Sequence, residues 1–490
     1  MKKRVAIVGG GIGGLAAAAL LAREGCEVTV LEKNDQTGGR ARLWSAQGFQ
    51  FDMGPSWYLM PEVFERFFAL FGKKVEQYYQ LKPLSPYYRV FFNPREPMDV
   101  GPDPGQVAAL FEGFEPGGGE RLGRYLAQAR YKYDVAMREF LYRSYDSVFQ
   151  FLNRRILIEG TRLGVLGRLD RFVRRYFTDR RARQLLEYAM VFLGTSPQDA
   201  PALYSIMSHV DLTLGVHYPL GGLVQVGRAV RRLAEEQGAV VRTSCEVQRI
   251  VVEGGRARGV QTAAGRIEAD AVLVNADYAH AELDLLEPAF RSFAGRYWGR
   301  RVLAPSMFIL YLGLNRRLGS LAHHNLYFAP RWEEHFRTIF RSPAWPEEPC
   351  FYVSVISKTD PESAPPGGEN VFVLVPVAPG LEDTDERREA YAEALIAHLE
   401  RVTGEDFHTG LVVRRIYSQR DFIADYHAYR GTALGLSHTL GQTAVFRPPF
   451  RSRRVPNLYY TGQYTHPGVG VPMVLISAQV AAGLLAGGQR

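Results

Sequence analysis

Three glycines spaced Gly9-x-Gly11-x-x-Gly14, with Gly13 inside the run, follow the apolar stretch VAIV and precede an alanine-rich stretch. Twenty-three residues after Gly9 stands Glu32, at the end of a second apolar run, with Lys33 beside it. Glycines at this spacing permit a tight turn, let backbone amides approach an anion and allow the next helix to pack closely. A carboxylate at the end of the following strand can accept hydrogen bonds from ribose hydroxyls, and it repels a 2′-phosphate. This is the chemistry of an adenine dinucleotide gripped by its pyrophosphate. The elements that must position it are legible. VAIVG reads as a buried strand, GGLAAAALLAREG as a helix closed by Gly25, and CEVTVLEK as a second strand.

Two further pieces decide which dinucleotide. Shortly after Glu32 comes GGRA, containing Gly39 and Arg40, and then GFQFDMGPS, containing Gly54, Pro55 and Ser56. A second glycine pair with an arginine can bring amides and a guanidinium to a pyrophosphate from its other side. An NAD site has no need of this, because its nicotinamide half binds a second mononucleotide unit. A long cofactor also needs a distant segment to hold its ring end. The stretch LYYTGQYTHPGVGVPMVLISAQ, from Leu458 to Gln479, supplies a strand, a loop with Gly462 and Gln463, and an apolar helix opened by Gly470, Val471, Pro472 and Met473. FAD is therefore the expected cofactor. Val247 is placed with the cofactor-binding residues, and Asn275, in VNAD, is expected to contact the adenosine side through its backbone.

The 490 residues are too many for one ordinary core, so two or more lobes are expected. Cys26, Cys245 and Cys350 lie far apart, which speaks against a metal site or disulfide framework and fits a reducing cytosol. No signal peptide is read at the start, and no apolar run reaches the roughly 18–20 residues that span a bilayer. The net charge of +8 is concentrated in places. Between Arg154 and Arg183 ten arginines alternate with apolar residues against three acids. That pattern suits a solvated helical face or a surface resting on anionic lipid. No nucleic-acid-binding motif accompanies it.

These residues resemble the bacterial-type phytoene desaturases, FAD-dependent carotenoid desaturases of the wider flavin amine oxidase superfamily. The similarity spans nearly the whole chain, including LEKNDQTGGRA, GFQFDMGPS, YPLGGL, ADAVLVNAD and LAHHNLYFAP. Its most specific element is THPGVGVP, from Thr465 to Pro472. The resemblance implies an α/β fold: a Rossmann-type FAD domain assembled from separated segments, with an inserted α+β substrate and membrane-binding domain. The segments expected for the FAD domain are 1–80, 221–295 and 426–490, and those for the other are 81–220 and 296–425. The implied reaction introduces C=C bonds into a C30–C40 isoprenoid, phytoene or a later intermediate such as lycopene. The implied location is cytoplasmic and peripheral to the membrane, with quinone or oxygen as electron acceptor. GVPMVLISAQ departs in detail from the commoner GIPGVLGSAK-like form, which leaves open a 3,4-desaturase, an isomerase, a ketolase or a saturase.

A polyene offers no charged handle, so an apolar tunnel is expected; 59 aromatic residues are available to line one. The flavin carries the hard step, and an unactivated C–H lies far from the pKa of any side chain. No dedicated base is therefore assigned. His466 reads as a residue that bonds backbone and shapes the loop over the cofactor, the alternative being a base beside the flavin. Asp52 is expected to cap a turn near the cofactor. Asn275 and Asp277 read as adenosine contacts or a plain turn, Ser477 as a packing residue, and His323 and His324 as structural or tunnel-mouth residues. A flavin amine oxidase would use a mid-chain lysine, and none occurs between Lys132 and Lys358. A prenyl-lipid escort without chemistry would not require intact flavin segments.

Overall fold

Alanine at positions 16 to 19 decides how the first helix packs. In the computed structural model, which describes residues 2–145, 160, 163–164 and 167–487, every residue from Ile12 to Ala22 is buried. Such small side chains let α1 (Ile12–Arg23) lie against a sheet and two further helices, α2 (Val224–Glu236) and α3 (Val471–Ala486). The sheet beneath has five strands: β1 (Arg4–Val8), β2 (Glu27–Leu31), β3 (Val240–Arg242), β4 (Ala271–Val274) and β5 (Leu458–Tyr460). Their order is β5-β4-β1-β2-β3, and every pair is parallel. All four residues of β4 are buried, as expected for a parallel strand covered on both faces. The carboxyl ends of β1, β4 and β5 therefore open on one edge, where open α/β sheets bind ligands.

A second sheet of seven strands stands apart. It runs Leu411–Tyr417, Ser306–Leu314, Glu369–Val377, Phe351–Ser354, His324–Tyr327, Tyr88–Asn93 and Glu96–Val100. Its pairs are antiparallel except that of His324–Tyr327 with Tyr88–Asn93. The two longest strands, Ser306–Leu314 and Glu369–Val377, are buried at all nine positions, so their sequences read as near-continuous apolar runs and not as alternation. One acid interrupts them, Glu369, and Lys358 reaches it at 2.7 Å. Burying a charge without a partner is costly, so the pair is held together from both sides.

Two expectations need correction. The sequence from about Met60 to Leu220 reads as long helical patterns rich in aromatics and arginine, with a loop at Gly113–Arg121, but Tyr88–Asn93 and Glu96–Val100 form a hairpin that completes the second sheet. Strand or helix in so short an apolar run is decided by the edge available for pairing, which lies more than 200 residues away in sequence at His324–Tyr327. The break at Gly113–Arg121 is shorter than its glycines suggest: helix Gly118–Val135 already starts at Gly118. Of the arginine-rich stretch, 154–159, 161–162 and 165–166 lie outside the described residues. Arg168 and Arg181, within it, pair with Asp170 and Asp179. No helix among the described residues is long and apolar enough to cross a membrane.

Gly14 shows how tightly α1 is seated. A Cβ there would stand 2.2 Å from the Gly9 carbonyl oxygen, a backbone atom that cannot swing away. Gly14→Ala is expected to lower stability by ~1–3 kcal/mol, the usual cost of overpacking. Gly123 sits in a helix with open space around its Cβ direction, and Gly123→Ala is expected to stabilise by ~0.5–1 kcal/mol. Thermal denaturation of the two variants checks both signs.

Candidate functional site

Three strand ends converge on the glycine loop. Gly9 follows β1 at φ +99°, a conformation that favours glycine, and its amide bonds Leu31 of β2. Asn275, directly after β4, lays its side chain along the loop and donates from Nδ2 to the Gly9 carbonyl at 3.4 Å. A side chain at Gly11 or Gly13 would strike the Asn275 amide, at 2.9 and 2.6 Å. Asn275 was expected to act through its backbone, yet the structure uses its side chain to brace the glycine turn. Gly462, just after β5, completes the meeting point: a Cβ there would lie 3.1 Å from Asn275 Oδ1.

A continuous cavity of about 520 Å³ starts at this junction. Its wall includes Gly9, Gly11, Gly13, Glu32, Lys33, Gly39, Arg40, Gly54, Pro55, Ser56, Val247 and Asn275 from the first three-fifths of the chain. From the C-terminal segment it includes Gly462, Gln463, Gly470, Val471, Pro472 and Met473. Gly14 is the exception among the residues expected at the cofactor: it is consumed in packing against Gly9 and does not reach the wall.

Electrostatics at this end suit an anion. Arg40 Nε and Nη2 are buried with no partner in the protein, while the guanidinium is held over the Tyr426 ring at 4.8 Å. The N-termini of α1 and α3 both begin at the wall, with unpaired amides and the positive ends of their dipoles. Leaving a buried guanidinium unpaired is expensive, so a pyrophosphate is the group these donors fit. Glu32 is more constrained than its spacing reveals. One carboxylate oxygen accepts from the Gly10 amide (2.8 Å) and the other from the Asn34 amide and side chain (2.9 and 3.0 Å). It stiffens the loop while keeping one lone-pair site, on the oxygen that Gly10 bonds, free for a hydroxyl. Lys33 Nζ is drawn to the Ala424 carbonyl at 2.5 Å.

Beyond Ser56 the wall turns apolar. Met307, Ile309 and Leu374 of the second sheet, with Phe192, Met207 and Val469, carry the cavity away from the dinucleotide end. Several polar groups punctuate it, and sequence reasoning missed them. Asp211 is buried in this wall, with Oδ2 accepting from Tyr88 (3.0 Å) and Tyr188 (2.6 Å) and Oδ1 left without a partner. Burial pushes its carboxyl up to about 7, against the pull of the two tyrosine hydroxyls. Lys132 donates to the Ala202 carbonyl (3.0 Å) and Ser205 Oγ (2.9 Å), and burial pushes it down to about 8. An acid inside the otherwise apolar HVDLTL is a faint signal for Asp211. Nothing in the sequence around Lys132 marks it.

His466 is buried and neutral. Its Nε2 donates to the carbonyl of Phe140 at 3.0 Å, and burial pushes it down to about 4. It thus ties the C-terminal loop to the helical region instead of closing its own turn. Ser477, on α3, accepts from the Gly462 amide (3.1 Å) and bonds Thr461 and Thr465, which locks the loop onto the helix. Asp52 is not at the cavity. It lies against the first amides of α2, at Leu223 and Val224, outside good hydrogen-bond geometry, and burial raises it to about 7. His323 and His324 are not at a mouth either: both are fully enclosed, bonded to Thr359 Oγ1 and the Tyr352 hydroxyl at 2.7 Å. Asp277 forms a buried turn, accepting from the His280 and Tyr429 amides and the Tyr464 hydroxyl.

Residues 12–486 match the family model described as flavin containing amine oxidoreductase. A carotenoid 3,4-desaturase of Haloarcula japonica is 45% identical over 482 residues, covering 98% of this chain and 97% of that protein. A zeta-carotene-forming phytoene desaturase of Myxococcus xanthus is 36% identical, covering 98% and 93%. Among solved structures, an oxidoreductase from Methanosarcina mazei superposes with TM-score 0.63 at 18% identity, covering 97% of this chain and 98% of that one. A putrescine oxidase does so with TM-score 0.61 at 16% identity, covering 99% of both. The chain belongs to the flavin-containing amine oxidoreductase family, and within it to the carotenoid desaturases. It is an FAD-dependent oxidoreductase.

Arg40→Met is expected to weaken FAD binding by ~10–100-fold, from the ~1.5–3 kcal/mol of charge-assisted hydrogen bonds lost. Arg40→Lys should recover part of that loss. Flavin-fluorescence titration of the apoprotein measures both. Asp211 generates a pH signature: its folded-state carboxyl titrates near 7 and its unfolded one near the ordinary ~3.9. Its proton is held only by the folded chain in between, so stability falls as pH rises from about 4 to 7. Asp211→Asn should remove about one proton from the slope of unfolding free energy against pH in that window, measured by denaturant titration.

Proposed function

We propose that the chain desaturates a C30–C40 isoprenoid polyene, with the residues gathered at the glycine loop holding FAD. The observation that carries this reading is a single cavity whose dinucleotide end has unpaired cationic donors and whose remainder is apolar. In this reading segments 1–80, 221–295 and 426–490 make a Rossmann-type FAD domain, and 81–220 and 296–425 make the inserted α+β substrate and membrane-binding domain. Arg40 and the amides at the starts of α1 and α3 bind the pyrophosphate, Glu32 the ribose, and Gly54–Ser56 with Gly470–Met473 the ring end. FAD, when bound, supplies the acceptor for a hydride taken from the substrate carbon.

The chain's own residues then have three tasks. The apolar wall of Met307, Ile309 and Leu374 aligns a hydrocarbon that offers no polar handle and keeps water from the reacting carbons. The unpartnered Oδ1 of Asp211 and the tyrosines around it turn oxygen lone pairs and aromatic faces toward the positive charge that develops as hydride departs. His466 fixes the loop on which Gly470–Met473 are presented. A quinone or oxygen takes the electrons onward, and the protein works as a peripheral protein on the cytoplasmic side of a membrane. Among the described residues the second-sheet wall holds no lysine, and Lys132, elsewhere in the wall, is held by the Ala202 carbonyl and Ser205 Oγ, which disfavours amine oxidation.

The relative of 45% identity favours 3,4-desaturation of an already extended polyene over the first steps on phytoene. Expression in hosts that accumulate either phytoene or lycopene, followed by pigment chromatography, tests this. New, longer-wavelength products are expected in the lycopene host; no change in either host would overturn the reading. The purified protein should be yellow, and peroxide release with amines should be absent. His466→Ala should retain FAD and stay within about tenfold of normal turnover, short of the ~10²–10⁴ loss that removal of a general base produces.

A further inference from the structure

Seven large apolar side chains are exposed among the described residues, and three of them, Val302, Leu440 and Phe446, fall in one place. Gln442 joins them: it accepts from the Val302 amide at 3.0 Å and donates to the Val302 carbonyl at 2.8 Å, with Leu440 and Phe446 on either side of it in the chain. Next to Gln442, Thr443 and Ala444 are half-exposed and belong to the cavity wall. Across from them Tyr204, also of the wall, bonds Thr443 Oγ1 at 2.7 Å. The apolar cluster therefore rims a point where the cavity reaches the surface.

The surroundings are cationic. Arg301 lies over Tyr297 at 4.0 Å, Tyr297 stacks on Phe293 at 4.1 Å, and Arg453 lies over Phe293 at 5.0 Å. This ladder merges the segments around 300 and 450 into one face. Arg296, Arg300, Arg451 and Arg454 are exposed on the same two segments. Among the described residues none of these six arginines pairs with a carboxylate. No acid occurs between Glu287 and Glu333, and none follows Asp425. Apolar side chains ringed by unpaired arginine complement one surface in particular, the headgroup region of an anionic bilayer.

We propose that the face bearing Val302, Leu440 and Phe446 docks on an anionic lipid bilayer, so that the cavity opens into the membrane at Thr443 and Ala444. This rests on the reading that the substrate is a polyene dissolved in that membrane, which could then enter without crossing water. The surface differs from the arginine-rich stretch between Arg154 and Arg183 that the sequence brings forward.

Co-sedimentation of the full-length holoprotein with vesicles of phosphatidylcholine, alone or mixed with phosphatidylglycerol, tests the docking face. Wild type is expected to bind the mixed vesicles at least about tenfold more tightly than the neutral ones, as several arginines near an anionic surface require. Leu440→Ser with Phe446→Ser, and separately Arg300→Glu with Arg301→Glu, should each weaken binding by about tenfold or more. Both variants should keep their flavin and their turnover of detergent-dispersed polyene. Arg171→Glu with Arg174→Glu should change vesicle binding less. Unchanged binding in both test variants, or loss confined to the Arg171 and Arg174 variant, would overturn the proposal. Failure of the wild type on every dispersed polyene would instead refute the proposed reaction and leave the vesicle result standing.

Discussion

A buried diphosphate is held by donors that converge on it, and in this fold the candidate donors come from separate pieces of chain. The five-stranded sheet answers that constraint by bringing the carboxyl ends of β1, β4 and β5 to one edge. Gly9, Asn275 and Gly462, far apart in sequence, are thereby packed within contact distance. Asn275 is the keystone of this junction, because a Cβ at Gly11 or Gly13 would displace its amide and a side chain in its place would meet the loop. The approach of three backbones leaves Arg40 facing the space between them without a partner. That unpaired charge is an energetic liability in the free protein and a source of affinity when a diphosphate arrives.

The rest of the cavity obeys the opposite rule. Hydrocarbon is bound by exclusion of water, so its wall comes from strands buried along their whole length, Ser306–Leu314 and Glu369–Val377. Polar groups within such a wall must be satisfied or neutral. Lys132 is satisfied by a carbonyl, a hydroxyl and the Phe172 ring at 3.7 Å. His466 is held neutral by burial. Asp211 keeps an unpartnered oxygen in spite of two tyrosine donors, and its carboxyl is raised accordingly.

Much of the dinucleotide end could be read in the chain. GxGxxG, Glu32, GGRA and the C-terminal glycine loop each carry a local backbone requirement, and local requirements leave fixed spacings. Eighteen of the nineteen expected cofactor residues reach the cavity wall, Gly14 being used up by packing. What could not be read shares a cause. Asn275 braces the loop by its side chain, Asp52 sits on a helix start, and His323 and His324 take the structural one of their two expected roles. In each case the residue's role depends on a neighbour hundreds of positions away or on which side of a strand it faces. The hairpin Tyr88–Val100 was likewise hidden, because its pairing partner is His324–Tyr327.

The sequence by itself pointed to a dinucleotide and to FAD, because glycine spacing, a strand-terminal acid and strand–loop–helix order are consequences of short-range geometry. Only the tertiary structure decided that the glycine-loop residues and the apolar wall share one cavity, that Asp211 and Lys132 stand in its wall, and that His466 tethers a loop to Phe140. It also decided that Val302 and Phe446, 144 positions apart, are both exposed near arginines that pair with no carboxylate among the described residues. Solvent exposure, pairing and enclosure are properties of packed neighbours, and packing is settled by the whole chain at once.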